Sequence, residues 1–149
     1  MPVVPGQYCV IFPVVTIGEG SRVGNFVFIR ANTTIGEGCT IGSYVDIEGE
    51  VTIGNHVSLQ SGAYITRGVI IEDDVFCGPR MVTMNDKRIC HRRPDLTFVR
   101  AAPRILRAAR IGGGNYRLSV QNTSLGALVI LRSAPAAAAA SSERLSRYL

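Results

Sequence analysis

The chain has 149 residues, enough for one domain and at most a small second element, and 46% of them are apolar, so a hydrophobic core is available. No apolar stretch is long enough to cross a membrane, and the N-terminus lacks the regions of a signal peptide. No two of the four cysteines have metal-ligand spacing, and we expect a cytoplasmic protein with reduced thiols.

A six-residue repeat begins at Ile17 and runs without gaps through eleven units to residue 82. The first position of each unit is aliphatic or Cys, and the fifth is small, β-branched or Met. This period does not fit a helix stripe, but it fits short strands separated by sharp turns, with three units per triangular coil. The repeat predicts an all-β chain with a parallel β-helix over 17–116. Residues 1–16, which contain three prolines, are predicted to form an N-terminal cap and an irregular first coil.

The repeat breaks after Thr83 and returns at Ile105, which leaves an excursion over 84–103. Residues eighteen apart stack in such a coil, so Arg67 is predicted to lie one coil below Asn85. A long segment that does not follow the repeat, inside an otherwise regular solenoid, is typical of a functional loop. A solvated excursion without a role is the alternative interpretation.

Half of the Lys and Arg residues fall in one short stretch around this excursion. They are Lys87, Arg88, Arg92, Arg93, Arg100, Arg104, Arg107 and Arg110. Such a cluster favours an anionic ligand such as a phosphate. Nucleic acid is the weaker interpretation, because aromatic residues do not alternate with these arginines as stacking platforms would require.

Two segments carry a resemblance to a known family: VGNFVFIRANTTIGEGCTIGSYVDI and IEDDVFCGPRMVTMND. Both resemble bacterial sugar-nucleotide N-acetyltransferases of the hexapeptide-repeat superfamily, and the similarity covers roughly 16–114. The resemblance implies a left-handed parallel β-helix and a homotrimer that binds acetyl-CoA between subunits, without a metal. It further implies transfer of the acetyl group to the amine of a nucleotide-linked amino sugar, in surface-polysaccharide biosynthesis.

The same resemblance places Asn85 in the acceptor site, and acyl transfer to an amine also needs a base, for which Asp86 or His91 is available. The predicted substrate-binding residues are Arg67, Arg30, Gln60, Lys87 and Arg88. The predicted cofactor-binding residues are Arg107, Ala108, Gly113 and Gly114, with the glycine backbone amides along the pantetheine arm. Each has a plainer interpretation: a turn cap for Asn85, a solvated His91 or Arg67, and a tight turn at the glycines.

Two departures from the family keep other functions open. The chain has only two histidines, whereas many hexapeptide acetyltransferases have a catalytic one and a γ-type carbonic anhydrase needs three around zinc. The tail over 117–149 has no hexad phase, and we expect a truncated or frame-altered end, with a short helix over 135–149. A non-catalytic or degenerate trimeric scaffold with an incomplete CoA groove is therefore the alternative to the acetyltransferase.

Overall fold

The computed structural model describes residues 3–87 and 89–114, and this part of the chain is an all-β parallel solenoid without a helix. Its strands are β1 (Val10–Ile11), β2 (Thr16–Ile17), β3 (Arg22–Val23), β4 (Phe28–Ile29), β5 (Thr34–Ile35), β6 (Thr40–Ile41), β7 (Asp46–Ile47), β8 (Thr52–Ile53), β9 (Ser58–Leu59), β10 (Tyr64–Ile65), β11 (Ile70–Ile71), β12 (Phe76–Cys77), β13 (Arg104–Ile105) and β14 (Arg110–Ile111). The predicted tail over 117–149 and its helix lie outside the described residues.

The strands form three parallel sheets that face one another across the core. Sheet 1 contains β1, β4, β7 and β10, sheet 2 contains β2, β5, β8, β11 and β13, and sheet 3 contains β3, β6, β9, β12 and β14. Two sheets have five strands each, so the coil makes four turns between the first and last of them. The prediction of an all-β parallel β-helix is confirmed, and the arrangement is consistent with the left-handed winding that the resemblance implies.

The hexad explains each strand, because its sixth residue points outward and the first residue of the next hexad points inward. The inward residues Ile29, Ile47 and Ile65 are fully buried and stack in one column with an 18-residue register. Burying one such side chain contributes about 1.5–3 kcal/mol. Cys39 and Cys77 occupy inward positions in the same core as small apolar groups, as predicted.

In the turns, the second hexad position permits close stacking and the fourth adopts the left-handed backbone. Glycine at the second position permits close stacking, since a Cβ on Gly42 would lie 2.6 Å from the amide nitrogen of Ser61. The left-handed backbone occurs instead at the fourth position, where Phe26, Tyr44 and His56 have φ values of +56°, +61° and +55°. Non-glycine residues rarely adopt this conformation. At the second position only the small side chain is required.

Polar side chains at the third hexad position close the turns. Asn55 Oδ1 accepts a hydrogen bond from the Glu37 amide at 2.9 Å, and Asp73 Oδ1 accepts one from the Asn55 amide at 2.8 Å. Each side-chain oxygen therefore accepts from a turn N–H group of the coil below. Without it, that N–H group would lack this hydrogen bond.

Coil geometry extends on both sides of the hexads counted from Ile17. On the N-terminal side β1 already pairs with β4, although it precedes that residue. After Val82, which bridges to Tyr64, the chain leaves the coil and returns at β13. Ile71 pairs with Ile105, a step of 34 residues instead of the usual 18, so sixteen residues are inserted at one corner without loss of phase.

Candidate functional site

Three corners run along the solenoid, and each is named here by its side chains. The excursion corner comprises 12–14, 30–32, 48–50, 66–68 and the excursion 84–103. The acidic corner comprises 18–20, 36–38, 54–56, 72–74 and 106–108. The aromatic corner comprises 6–8, 24–26, 42–44, 60–62, 78–80 and 112–114.

Asn85 fixes the point where the excursion leaves the coil. Its Nδ2 donates to the carbonyl oxygen of Arg67 at 2.9 Å, one coil below, and its own carbonyl oxygen accepts from the Ala101 amide at 2.7 Å. The side chain therefore ties the departing strand to the coil, while the backbone ties it to the returning one. The stacking of Arg67 and Asn85 predicted from the repeat is present.

Ion pairs hold the base of the excursion from outside. Glu50 lies between two guanidinium groups, with Oε1 3.6 Å from Arg67 Nη1 and Oε2 3.4 Å from Arg100 Nη1. Arg100 also forms an antiparallel bridge with Asp86, the first candidate base. Both arginines are about half exposed, so the charge of Glu50 offsets theirs only in part.

A hydrogen-bonded group on the outer face of sheet 1 leads into this corner. The Tyr64 hydroxyl donates to Glu48 Oε1, and Glu48 Oε2 accepts from the Arg67 amide at 3.0 Å. Arg30 Nη1 lies 3.7 Å from Glu48 Oε1. Burial, together with the hydrogen bond to Glu48, raises the pKa of Tyr64 to about 12. Glu48 therefore fixes Arg30, Tyr64 and Arg67 in one cluster.

Asp46 lies in the same sheet, between Phe28 and Tyr64. Its Oδ1 is buried and has no hydrogen-bond partner among the described residues. Burial raises the pKa of Asp46, and the nearby Arg30 opposes that rise. Neither Asp46 nor the Glu48–Tyr64 pair was predicted from the sequence, although the eighteen-residue spacing of Asp46 and Tyr64 was an available signal.

The excursion residues after Asn85 differ in their exposure to solvent. Asp86 is half-buried, whereas Lys87 and His91 are exposed. Lys87 lines a cavity of about 310 Å³ together with Asp95 and Leu96. Arg88 lies outside the described residues. The excursion thus holds Asn85 and Asp86 close to the coil and leaves His91 in solvent.

Arg107 is engaged within the chain at the acidic corner. Its Nη2 lies 2.6 Å from Asp73 Oδ2 and its Nε 3.8 Å from Asp74 Oδ2, while Arg104 Nη2 lies 2.8 Å from Glu72 Oε1. The hydrogen bond from the Asn55 amide, and then the one from Arg107, lowers the pKa of Asp73. The basic cluster predicted to bind phosphate is therefore neutralised in part by three carboxylates.

Further cofactor candidates lie elsewhere on the turns. Ala108, at the acidic corner, donates its amide to the carbonyl oxygen of Asp73 at 3.0 Å. Gly113 and Gly114 lie at the aromatic corner, where the Gly114 amide donates to the carbonyl oxygen of Pro79 at 2.8 Å. The Gly114 amide is thus used in stacking the coils, and a role for these glycines along a pantetheine arm stays a prediction.

The predicted site residues thus separate into three groups within one chain. The structure brings Arg30, Arg67, Asn85 and Asp86 to the excursion corner. Gln60, whose Nε2 donates to Ser58 Oγ at 2.7 Å, lies with Gly113 and Gly114 at the aromatic corner. Arg107 and Ala108 lie at the acidic corner.

Two further observations concern the described part of the chain. No group of three or more His, Cys, Asp or Glu side chains there has the arrangement of a metal site. Residues 3–87 and 89–114 also contain no helix with the length and apolarity needed to cross a bilayer.

Comparison with known protein families gives a match over part of the chain. The family model "Bacterial transferase hexapeptide (six repeats)" matches residues 32–67, which form two full coils below the excursion. No curated protein matches the chain. The family match and the parallel solenoid together support assignment to the hexapeptide-repeat superfamily, and the match points to transferase-type activity.

Proposed function

We propose that this chain is an acyltransferase that moves the acetyl group of acetyl-CoA to the amine of a nucleotide-linked amino sugar, and that it works as a homotrimer. The family match supports the transferase class. The observation that carries the proposal is the position of Asn85. Its Nδ2 is held by Arg67, at the place where the inserted segment leaves an otherwise regular coil.

In this position the side-chain oxygen of Asn85 can contact a substrate. Nδ2 donates to the Arg67 carbonyl oxygen, and Oδ1 forms no hydrogen bond with the described residues, so Oδ1 can accept from the amine of an acceptor sugar. That contact would orient the nitrogen lone pair toward a thioester carbonyl. As the bond forms, the amine must lose a proton, and Asp86 is the adjacent half-buried carboxylate. His91 is exposed and is the less suitable base.

The homotrimer accounts for the distribution of the predicted residues over three corners. Within a single chain the acceptor group at the excursion corner is separate from Arg107 and Gly113. If two subunits pack side by side, the excursion corner of one can meet a different corner of its neighbour. A cofactor between them would then contact both groups, and the acetyl donor would approach Asn85 from the neighbouring chain.

A second candidate, a non-catalytic scaffold, is favoured by one specific observation. The Arg107 guanidinium is paired with Asp73 and Asp74, and the Gly114 amide is paired with Pro79. Two groups proposed for the cofactor are thus already satisfied within the chain. A protein that trimerises without binding acetyl-CoA would show this arrangement.

Thiol release from acetyl-CoA, measured with a panel of UDP- and dTDP-linked amino sugars, tests the proposal. Calorimetric binding of acetyl-CoA and the oligomeric state are measured on the same sample. Asn85→Ala is expected to lower turnover at least about tenfold, because acceptor positioning is lost. Asn32→Gly is the matched control, since Asn32 is exposed three coils below and its φ of +59° suits glycine. A folded trimer that neither binds acetyl-CoA nor releases thiol would contradict the proposal and favour the scaffold.

A further inference from the structure

Three aromatic rings form a continuous stack along the aromatic corner. Tyr8 and Phe26 have ring centroids 5.0 Å apart with planes 15° apart, and Phe26 and Tyr44 have centroids 5.0 Å apart with planes 4° apart. All three occupy the fourth hexad position, at intervals of eighteen residues, with positive φ. The left-handed backbone thus projects one ring from each successive coil, and the rings stack at the coil spacing.

The stack ends abruptly, because the next residue in this column is Gly62. Phe26, between two rings, is 45% exposed, whereas Tyr44 is 64% exposed, as expected when one ring face has no neighbour. The following side chain, Arg80, lies two coils above Tyr44, roughly 10 Å away at ordinary strand spacing. The missing ring therefore leaves a slot about as thick as one planar aromatic group.

Arg80 provides a cation at the upper side of this slot. Its Cγ lies 3.3 Å from the position that a Cβ on Gly62 would occupy, so its stem leans over the glycine. In the part of the chain that the structure describes, the Arg80 guanidinium forms no ion pair, in contrast to Arg67, Arg104 and Arg107. A free aromatic face and the stem of an arginine that forms no ion pair among the described residues thus border the same space.

We propose that Tyr44, Gly62 and Arg80 form a binding slot for a nucleotide. The base occupies the vacant level and stacks on Tyr44, and Arg80 binds the phosphate that the base carries through its ribose. Stacking on an aromatic face tolerates any base, because every base has a π surface. A charged guanidinium favours an anionic ligand over a neutral aromatic one. The slot is on a different corner from Asn85. The proposal rests on the proposed function for its ligand class, but nucleotide binding at the slot is measured independently of acetyl transfer.

Two sources share this chemistry: a pyrimidine nucleotide-linked sugar and the adenylate part of a coenzyme. Calorimetry on the full-length chain with UMP and with AMP distinguishes them by the preferred base. Ribose 5-phosphate, which lacks the base, and uridine, which lacks the phosphate, are the matched ligands. Saturation-transfer NMR is expected to show contact through the base protons.

Variants identify the binding surface. Tyr44→Asn removes the stacking face but suits the left-handed backbone, and we expect at least about tenfold weaker nucleotide binding. Gly62→Phe adds the missing ring, in the backbone conformation that Phe26 and Tyr44 already adopt, and should abolish binding. Arg80→Gln should remove the advantage of UMP over uridine. Tyr8→Asn, at the far end of the stack, should leave binding unchanged.

The outcome is decisive in either direction. Binding of UMP or AMP that is lost in Tyr44→Asn and retained in Tyr8→Asn supports the slot. If neither nucleotide binds the wild-type chain, or if Tyr44→Asn binds as tightly as wild type, the slot is wrong. Thermal melting confirms that each variant is folded, and Tyr44→Asn decides the matter alone if Gly62→Phe does not fold.

Discussion

Arg107 Nη2 lies 2.6 Å from Asp73 Oδ2, although the two residues are separated by the whole excursion. Asp73 also accepts from the Asn55 amide through its other oxygen, at 2.8 Å. One carboxylate therefore connects three successive coil levels at the acidic corner. The pairing joins the coil after the excursion to the coils before it.

Acid should weaken this connection. Hydrogen bonds lower the pKa of Asp73 from its ordinary value of 3.8, first that from the Asn55 amide and then that from Arg107. The Arg107 amide and then the Arg104 side chain likewise lower that of Glu72 from 4.5. A lowered folded-state pKa stabilises the fold above the unfolded value, and this contribution is lost as the pH falls through the folded value. The melting temperature should therefore fall as the pH drops below about 4.5.

Asp73→Asn tests the origin of this acid sensitivity. Its amide oxygen can still accept from the Asn55 amide, but the charge opposite Arg107 is gone. Melting followed by circular dichroism from pH 6 to pH 3 should show a shallower loss in this variant. Glu37→Gln, on the same corner, is the control, because Glu37 forms no ion pair among the described residues. Parallel profiles for wild type and Asp73→Asn would rule out the pairing as a source of the effect.

Thr83, the last residue before the excursion, should be important for stability. It is fully buried, and its Oγ1 accepts from the Thr66 amide at 2.8 Å and lies 2.9 Å from Thr66 Oγ1. Thr83→Val keeps the shape but leaves these buried groups without a partner, at a cost of about 1–3 kcal/mol. Urea denaturation measures the change, and Thr52→Val, at an exposed strand position, is the control. Equal losses in both variants would contradict this role.

The second hexad position should tolerate substitution less well than the fourth. A Cβ on Gly42 would lie 2.6 Å from the Ser61 amide nitrogen, so Gly42→Ala must push two coils apart. Gly20 has φ +73°, and the nearest atom to its Cβ position is 3.9 Å away. Asparagine adopts such a φ readily, so Gly20→Asn should change stability little. Gly42→Ala is expected to lower the melting temperature by several degrees. A larger loss in Gly20→Asn than in Gly42→Ala would contradict these different roles of the second and fourth positions.

Tyr64 should ionise later than an ordinary tyrosine. Burial and the hydrogen bond to Glu48 raise its pKa to about 12 from 10.0, so its stabilising contribution is present below pH 10 and is lost as the pH rises through the folded value. Absorbance at the tyrosinate band, titrated for wild type and Tyr64→Phe, isolates this group by difference. The difference curve should have its midpoint near 12. A midpoint near 10 would show that Tyr64 is free of Glu48.

The core and the coil could be predicted from the sequence because the first and fifth positions of each hexad identify its inward residues. Ile29, Ile47 and Ile65 repeat at eighteen residues, and the same rule correctly placed Arg67 below Asn85. The left-handed turns could not be predicted in this way. Phe26 and Tyr44 have side chains that disfavour positive φ, and the hydrogen bonds of the neighbouring coils impose it.

The arginine pairings escaped prediction for a different reason. Glu72 and Asp73 meet Arg104 and Arg107 only because the excursion shifts the register from 18 to 34 residues. An eighteen-residue rule pairs these acids with residues inside the excursion instead. The aromatic stack follows the eighteen-residue rule, since Tyr8, Phe26 and Tyr44 are spaced by eighteen. The hexad pattern, however, assigns inward positions of the strands and does not assign contacts between turn side chains.

The length of the insertion at the excursion corner does not affect the register of the coils. Its two ends lie on successive levels of one edge, so adding or deleting residues between them leaves the pairing of Ile71 with Ile105 unchanged. Doubling a flexible loop costs only about 0.6 kcal/mol in closure entropy. Foreign segments grafted between Asp86 and Arg100, which form an antiparallel bridge, should therefore be displayed without disturbing the solenoid. The excursion corner is therefore an insertion site, where the sequence can vary while the solenoid stays unchanged.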